Sequence, residues 1–375
     1  MALSVNGEIE EMVDSSFNRF DVVSDDSDHS YLNLNPPKKD CGDCFVNGNA
    51  RTHKKIMQEW RILEKNLPEL IFVQAYEKRV DLLRAVIFGA AGTPYHDGLF
   101  FFDIAFPADY PTRPPQVHYR SYGMRLNPNL YANGRVCLSL LNTWAGKKNE
   151  KWNPSESTVL QVLLSIQALV LNEKPYFNEP GHGMLGRSIW EKRSQAYNED
   201  VFILSCKTML FLLRRPPKNY EDFVARHFRE RGDIILRACD AYRARSVRVG
   251  YYGIHGSSSS SSSTIIDASE KFKTSIGKLY PELVAAFQRV GASVENFVER
   301  LKAESKTAPS SKPRVVLKKS QRTRGIGLTK KFLRRMMEVL GLKKSGKSKA
   351  DVTKKKSSSR KVRTSTTAVE ETERE

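Results

Sequence analysis

Cys137 lies in the part of the chain where side chains able to do chemistry are most closely spaced. The segment reads F-P-A-D-Y-P-T-R-P-P-Q-V over 106–117, L-N-P-N-L-Y-A-N-G-R-V-C-L-S-L-L over 126–141 and K-W-N-P over 151–154. A thiolate is a strong nucleophile and a good leaving group, so it can hold an acyl group that an amine will attack. That attack forms a tetrahedral oxyanion. Asn129, eight residues before the cysteine, has the kind of amide donor that stabilises one, worth about 2.7–4 kcal/mol in comparable holes. The same amide can equally serve to stiffen the loop through backbone hydrogen bonds. Val136 and Leu138 flank Cys137, and free cysteine is often a core residue. Residue types alone therefore leave both a nucleophile and a packed thiol open. A cysteine/histidine protease pair is a poor reading, because His118 falls in a strand-like run and His182 in a distant loop.

The elements that must position this loop follow from periodicity. Residues 53–66 place Ile56, Trp60 and Leu63 on one helical face, with Thr52 as N-cap. Strand-like runs come next at 70–76, 80–88, 98–106 and 116–120. Their close spacing and short connections predict an antiparallel meander. Pro107, Pro111, Pro114 and Pro115 fix an irregular crossing off the sheet, and Asn127-Pro128-Asn129 is a turn-forming set. Residues 121–156 lack periodicity, and a domain seldom keeps so long an irregular stretch unless it is functional. Helical patterns resume at 158–171, 187–213 and 219–245. A helix, then strands, then helices predict an α+β domain over 51–250.

The net charge of +19 is unevenly spread. Residues 1–36 hold eight acids and one base, whereas 306–375 hold 22 Lys/Arg and six Asp/Glu. The basic excess thus belongs mainly to the tail and says little about the domain. Residues 1–50, acidic and rich in Asp, Ser, Asn and Gly, are expected to be disordered. Residues 256–263 read as a Ser-rich linker, 264–303 as a helical appendage and 304–375 as a basic low-complexity tail. Three uses of the tail stay open: a nuclear localisation signal around Lys343–Lys349 and Lys354–Arg363, a contact with nucleic acid or another anionic surface, and a solubilising tail. Its apolar island near Phe332–Leu342 could form an amphipathic basic helix. No run of about 18 apolar residues predicts a membrane span. The five cysteines and the absence of a basic, then apolar, leader point to free thiols in the cytoplasm, the nucleus or both. Cys206 and Cys239 fit helical core positions. Cys41-x-x-Cys44 is a lone pair where a structural zinc site needs four ligands, with only His53 near, so no metal site is expected.

Residues 52–250 resemble the ubiquitin-conjugating enzyme family, and its large-class members most. The motifs that carry the likeness are L-L-N-T-W (140–144), W-N-P (152–154), L-V-L-N-E-K-P-Y-F-N-E-P-G (169–181) and R-R-P-P (214–217), in order and at matching spacing. The resemblance implies an N-terminal helix, a four-stranded antiparallel sheet and trailing helices. It implies that Cys137 accepts ubiquitin as a thioester from an activating enzyme and passes it to a lysine of a protein substrate. No cofactor is needed directly, since ATP is used upstream by the activating enzyme. Asn129 matches the asparagine tied to the oxyanion role.

The same likeness nominates Glu179, in Asn178-Glu179-Pro180, as the acid that steers the incoming lysine. Lysine is unreactive while protonated, and an acid can orient it and accept its proton; a solvated loop charge is the plainer alternative. Lys54, Lys55 and Arg61 fall where the family meets the activating enzyme, and basic residues there suit an acidic partner, although an ordinary solvated helix face would look the same. Thr112 and Pro154 fall on the two loops where ligases dock. The chain departs from the family pattern at three places. Asn127 stands where the family usually has a histidine of mostly structural role, Thr112 where Phe is frequent, and Ser155 where Ala is common. The last two put ordinary ligase choice in question and agree with large-class members acting with little separate ligase help.

Overall fold

Ala50–Asn66 forms helix α1, which buries Ile56, Glu59 and Leu63 along one stripe. Thr52 is not the N-cap expected of it: it lies inside the helix, and its hydroxyl donates to the Tyr110 carbonyl at 3.0 Å. The computed structural model describes residues 17–34, 50–182, 187–244, 247–253 and 268–307. After α1 come strands β2 (Ile71–Tyr76), β3 (Arg79–Phe88), β4 (Leu99–Ala105) and β5 (Gln116–Tyr119). They pair antiparallel in chain order, with Arg84 opposite Asp103 and Asp103 opposite His118. Strands β2 and β4 are buried on both faces, so their sequences run apolar without the alternation of a half-solvated sheet.

The sheet has five strands rather than four, and residues 17–34 overturn the expectation of disorder over 1–50. Strand β1 (Phe20–Val23) adds parallel to the edge of β2, with Phe20 opposite Val73. The arm that follows β1 lies against the sheet. Arg84, fully buried, donates to Asp103 and to Asp28, each at 2.6 Å. Arg120 also reaches Asp28 at 3.0 Å, and the Ser30 backbone and hydroxyl both donate to Asp103. Burial alone would raise the Asp103 carboxyl, but Arg84, His29 and Arg120 around it together outweigh that and hold it well below its ordinary range. Acidic composition predicts disorder for this segment; Asp28 in fact pairs with two arginines far along the chain. Cys41, Cys44 and the linker at 256–263 lie outside the described residues, as does the tail beyond Thr307.

Two apolar layers sandwich the sheet. One holds Ile71, Val73, Ala85, Phe100 and Phe102 with α1 and helix α2 (Val159–Ser165), which continues as a π turn over Ile166–Val170. Thr158 caps α2: its hydroxyl accepts from the Gln161 backbone at 3.2 Å. The other layer joins Phe72, Val86 and Phe101 to α3 (Arg187–Arg214), α4 (Glu221–Arg243), α5 (Glu270–Arg289) and α6 (Glu295–Thr307). The segment expected as a helical appendage therefore packs into the same core as α3 and α4. Phe272, Ile276, Tyr280 and Phe287 of α5 are buried there. Cys206 and Cys239 are fully buried in this layer, as their helical positions predicted. No described helix is long and apolar enough to cross a membrane.

Candidate active site

Between β5 and α2 the chain is irregular except for short turns, and Cys137 sits within this stretch. It is held by Asn129 from both sides. The Cys137 N–H donates to the Asn129 carbonyl at 2.9 Å, and the Asn129 side-chain amide donates to the Cys137 carbonyl at 2.8 Å. Asn129 is in turn held by Asn127, whose side-chain oxygen accepts from the Asn129 N–H at 2.7 Å. Thr143 closes the frame from the far side: its hydroxyl donates to the Val136 carbonyl at 2.7 Å and accepts the Leu138 N–H at 3.0 Å. Both peptides flanking the cysteine are thus fixed by one residue.

Cys137 is buried, 2% exposed. Val136 and Leu138 join the apolar layer beneath the sheet, while Cys137 between them joins neither layer; Cys206 and Cys239 do join one. The Asn129 amide carries two protons, and one is engaged by the Cys137 carbonyl. The loop-stiffening reading of Asn129 is therefore realised. His118 packs edge-on to Tyr31, and His182 stacks on Tyr176 and approaches its carbonyl. Neither has a described hydrogen bond to Cys137.

Glu179 ends the short turn Pro175–Asn178. It faces Arg125 at 3.5 Å, and Arg125 also donates to the Pro128 carbonyl at 3.3 Å and lies over the Tyr131 ring. Glu179 is thereby tied to the segment that carries Asn129. Both partners of the pair are largely exposed, so the link orients more than it stabilises.

The predicted docking residues share a different frame. The buried Glu59 accepts from the Tyr110 hydroxyl at 2.8 Å and from the Val159 N–H at 2.9 Å, joining α1, the proline-rich loop and the start of α2. Burial pushes its carboxyl up from the ordinary value. Trp152 donates to the Pro111 carbonyl at 2.7 Å, bringing the two loops together. Thr112 and Pro154 are exposed on them, and Lys54 and Arg61 are exposed on α1. Lys55 is half-buried and sits 3.8 Å from Glu59. No group of three or more His, Cys, Asp or Glu side chains able to hold a metal occurs among the described residues.

Comparison with known proteins settles the family. The family model described as ubiquitin-conjugating enzyme matches residues 55–203. A putative ubiquitin-conjugating enzyme E2 38 of Arabidopsis thaliana is 49% identical over 282 residues, which is 74% of this chain and 82% of that protein. The chain belongs to the ubiquitin-conjugating enzyme family. The probable ubiquitin-conjugating enzyme E2 23 of Arabidopsis thaliana is 50% identical over 75% of this chain, yet the chain spans only 25% of that relative's length. The human dual E2 ubiquitin-conjugating enzyme/E3 ubiquitin-protein ligase BIRC6 is 37% identical over 61% of this chain and 5% of its own.

Asn127, the departure from the ubiquitin-conjugating pattern, is a structural residue here. It is fully buried, and its amide donates to the Tyr95 hydroxyl at 2.8 Å and the Val170 carbonyl at 2.7 Å. Two further residues escaped sequence reasoning. Glu59 shows only as an acid on the buried stripe of α1, and Thr143 only as the threonine of L-L-N-T-W. Neither carries a local signal of the backbone groups it satisfies.

Proposed function

We propose that Cys137 accepts the C-terminal carbonyl of ubiquitin as a thioester from an activating enzyme and transfers it to a substrate lysine. The observation that carries this reading is the frame around the sulfur. Asn129 and Thr143 hydrogen-bond the cysteine and both adjacent residues, which fixes the backbone on either side of the buried thiol. In charging, the thiolate attacks the activating enzyme's thioester and that enzyme's thiolate leaves. In transfer, a neutral lysine amine attacks the Cys137 thioester, the amine proton passes to a base and the Cys137 thiolate leaves. The Asn129 amide supports the oxyanion, and Glu179 orients the amine. Lys54, Lys55 and Arg61 contact the activating enzyme, and Thr112 and Pro154 contact a ligase. Likeness to a relative named as both conjugating enzyme and ligase supports transfer with little separate ligase help.

The test is incubation of the full chain with ubiquitin, activating enzyme and ATP. Wild type is expected to give an adduct that collapses with reductant. Cys137→Ser should give either none or an ester that resists reductant. A reducible adduct that survives Cys137→Ser would move the nucleophile elsewhere and overturn the assignment.

A further inference from the structure

The stretch after Cys137 folds back beside it and carries cations that the reaction as described does not use. Ser139–Leu141 makes one short turn and Lys148–Glu150 another. The Ser139 hydroxyl donates to the Ala145 carbonyl at 3.3 Å, and Gly146 presses so closely on Ser139 that a Cβ there would meet its hydroxyl at 2.4 Å. Thr143 is bonded to both neighbours of Cys137. Lys147 therefore follows a residue in contact with Ser139, two positions from the thiol. Lys147, Lys148 and Lys151 are exposed on this loop. Arg135, two residues before the thiol, is exposed too and donates to the Thr143 carbonyl at 3.5 Å. None of the four forms an ion pair among the described residues. The opposing charges on the stretch are Glu150, whose carboxylate accepts the Lys147 N–H at 3.1 Å, and Glu156, which accepts from the Asn153 amide at 2.8 Å. Across the site Glu179 is already matched by Arg125.

We propose that this rim selects acceptor lysines set in acidic sequence. The inference rests on the thioester reading above and adds a substrate class to it. An acceptor lysine must reach the thiol while its flanking residues cross the rim. Unpaired cations there raise the local concentration of an acidic segment and repel a basic one. The same field disfavours a bare lysine cation, so acidic neighbours that offset the lysine's own charge are what the rim recognises.

The experiment pre-charges the full chain with ubiquitin and follows transfer to three synthetic peptides of equal length. Each has one lysine, flanked by Glu, by Ser or by Arg. The Glu peptide is expected to exceed the Ser peptide about tenfold in kcat/KM at low salt, with the Arg peptide slowest. The differences should vanish near 1 M salt, where screening acts within about 3 Å. The combined variant Lys147→Glu, Lys148→Glu, Lys151→Glu should reverse the order, while Lys207→Glu on α3 should not. Equal rates for the three peptides in wild type, or a preference that survives high salt, would overturn the proposal. Equal rates accompanied by inhibition with a short DNA duplex would assign the rim to nucleic acid and overturn it too. Loss of charging itself would strike the thioester reading, whereas normal charging and discharge to free lysine without peptide preference would strike this inference alone.

Discussion

Thr143 shows how a residue without reactive chemistry can set the geometry of one that has it. Its hydroxyl both donates and accepts, so it satisfies the Val136 carbonyl and the Leu138 N–H at once. Valine has the same shape but neither capacity, and would leave two half-buried backbone groups unpaired at about 1 kcal/mol or more each. Thr143→Val is therefore expected to slow transfer from Cys137 to free lysine about tenfold. Thr143→Ser, which keeps the hydroxyl, should restore most of the rate. Single-turnover discharge of the purified adduct separates the two, and equal loss in both variants would show that the methyl packing matters instead of the hydrogen bonds.

Among the elements, the arm of residues 17–34 covers the part of the sheet where Arg84, Asp103 and Arg120 lie. Its hold depends on Arg84, which lies between Asp28 and Asp103 with no exposure of its own. Removing one member of a buried ion group leaves the others charged and unpaired, at a cost of about 3–5 kcal/mol. Arg84→Ala should therefore lower unfolding stability by that order and free the arm to limited proteolysis. Asp28→Asn should cost less, because the Asp28 carboxylate is 27% exposed and water can replace part of what it gives up. Urea denaturation of the two variants measures the contrast. Equal and small losses would mean that the Phe17 and Phe20 contacts with Phe223 and Trp60 hold the arm without the ions.

For the molecule as a whole, charge and catalysis are divided along the chain. The net +15 of residues 308–375 lies beyond the last described helix, while the thiol frame is built entirely within 125–182. Deleting 308–375 is expected to leave the rates of charging and of discharge to free lysine unchanged. It should lower affinity for a polyanion such as heparin or duplex DNA, with a weaker salt dependence of what binding remains. A fall in charging on deletion, measured by gel under non-reducing conditions, would show that the tail takes part in meeting the activating enzyme.

Local patterns sufficed for much of this molecule. The four antiparallel strands, helices α1 to α4 and the irregular stretch holding Cys137 follow from periodicity and from proline and glycine punctuation, which act over a few residues. Cys137 and Asn129 stand out as candidates because their motifs are contiguous, and the structure hydrogen-bonds them to each other. What local patterns could not supply is pairing at long range. An acidic arm reads as solvated until Asp28 is seen against Arg84, 56 residues away. Helices α5 and α6 read as an appendage until Phe272 and Phe287 are seen inside the core that α3 and α4 build. Glu59 shows only as an acid on the apolar stripe of α1 until Tyr110 and Val159 close over it. Burial and partner choice are properties of the closed chain, because a charge or a backbone group acquires its stabilising neighbour only when distant segments meet. For the same reason the motifs around Cys137 singled out a candidate nucleophile, while tertiary structure alone showed that Asn129 and Thr143 frame its backbone and that a lysine-bearing loop folds back beside it.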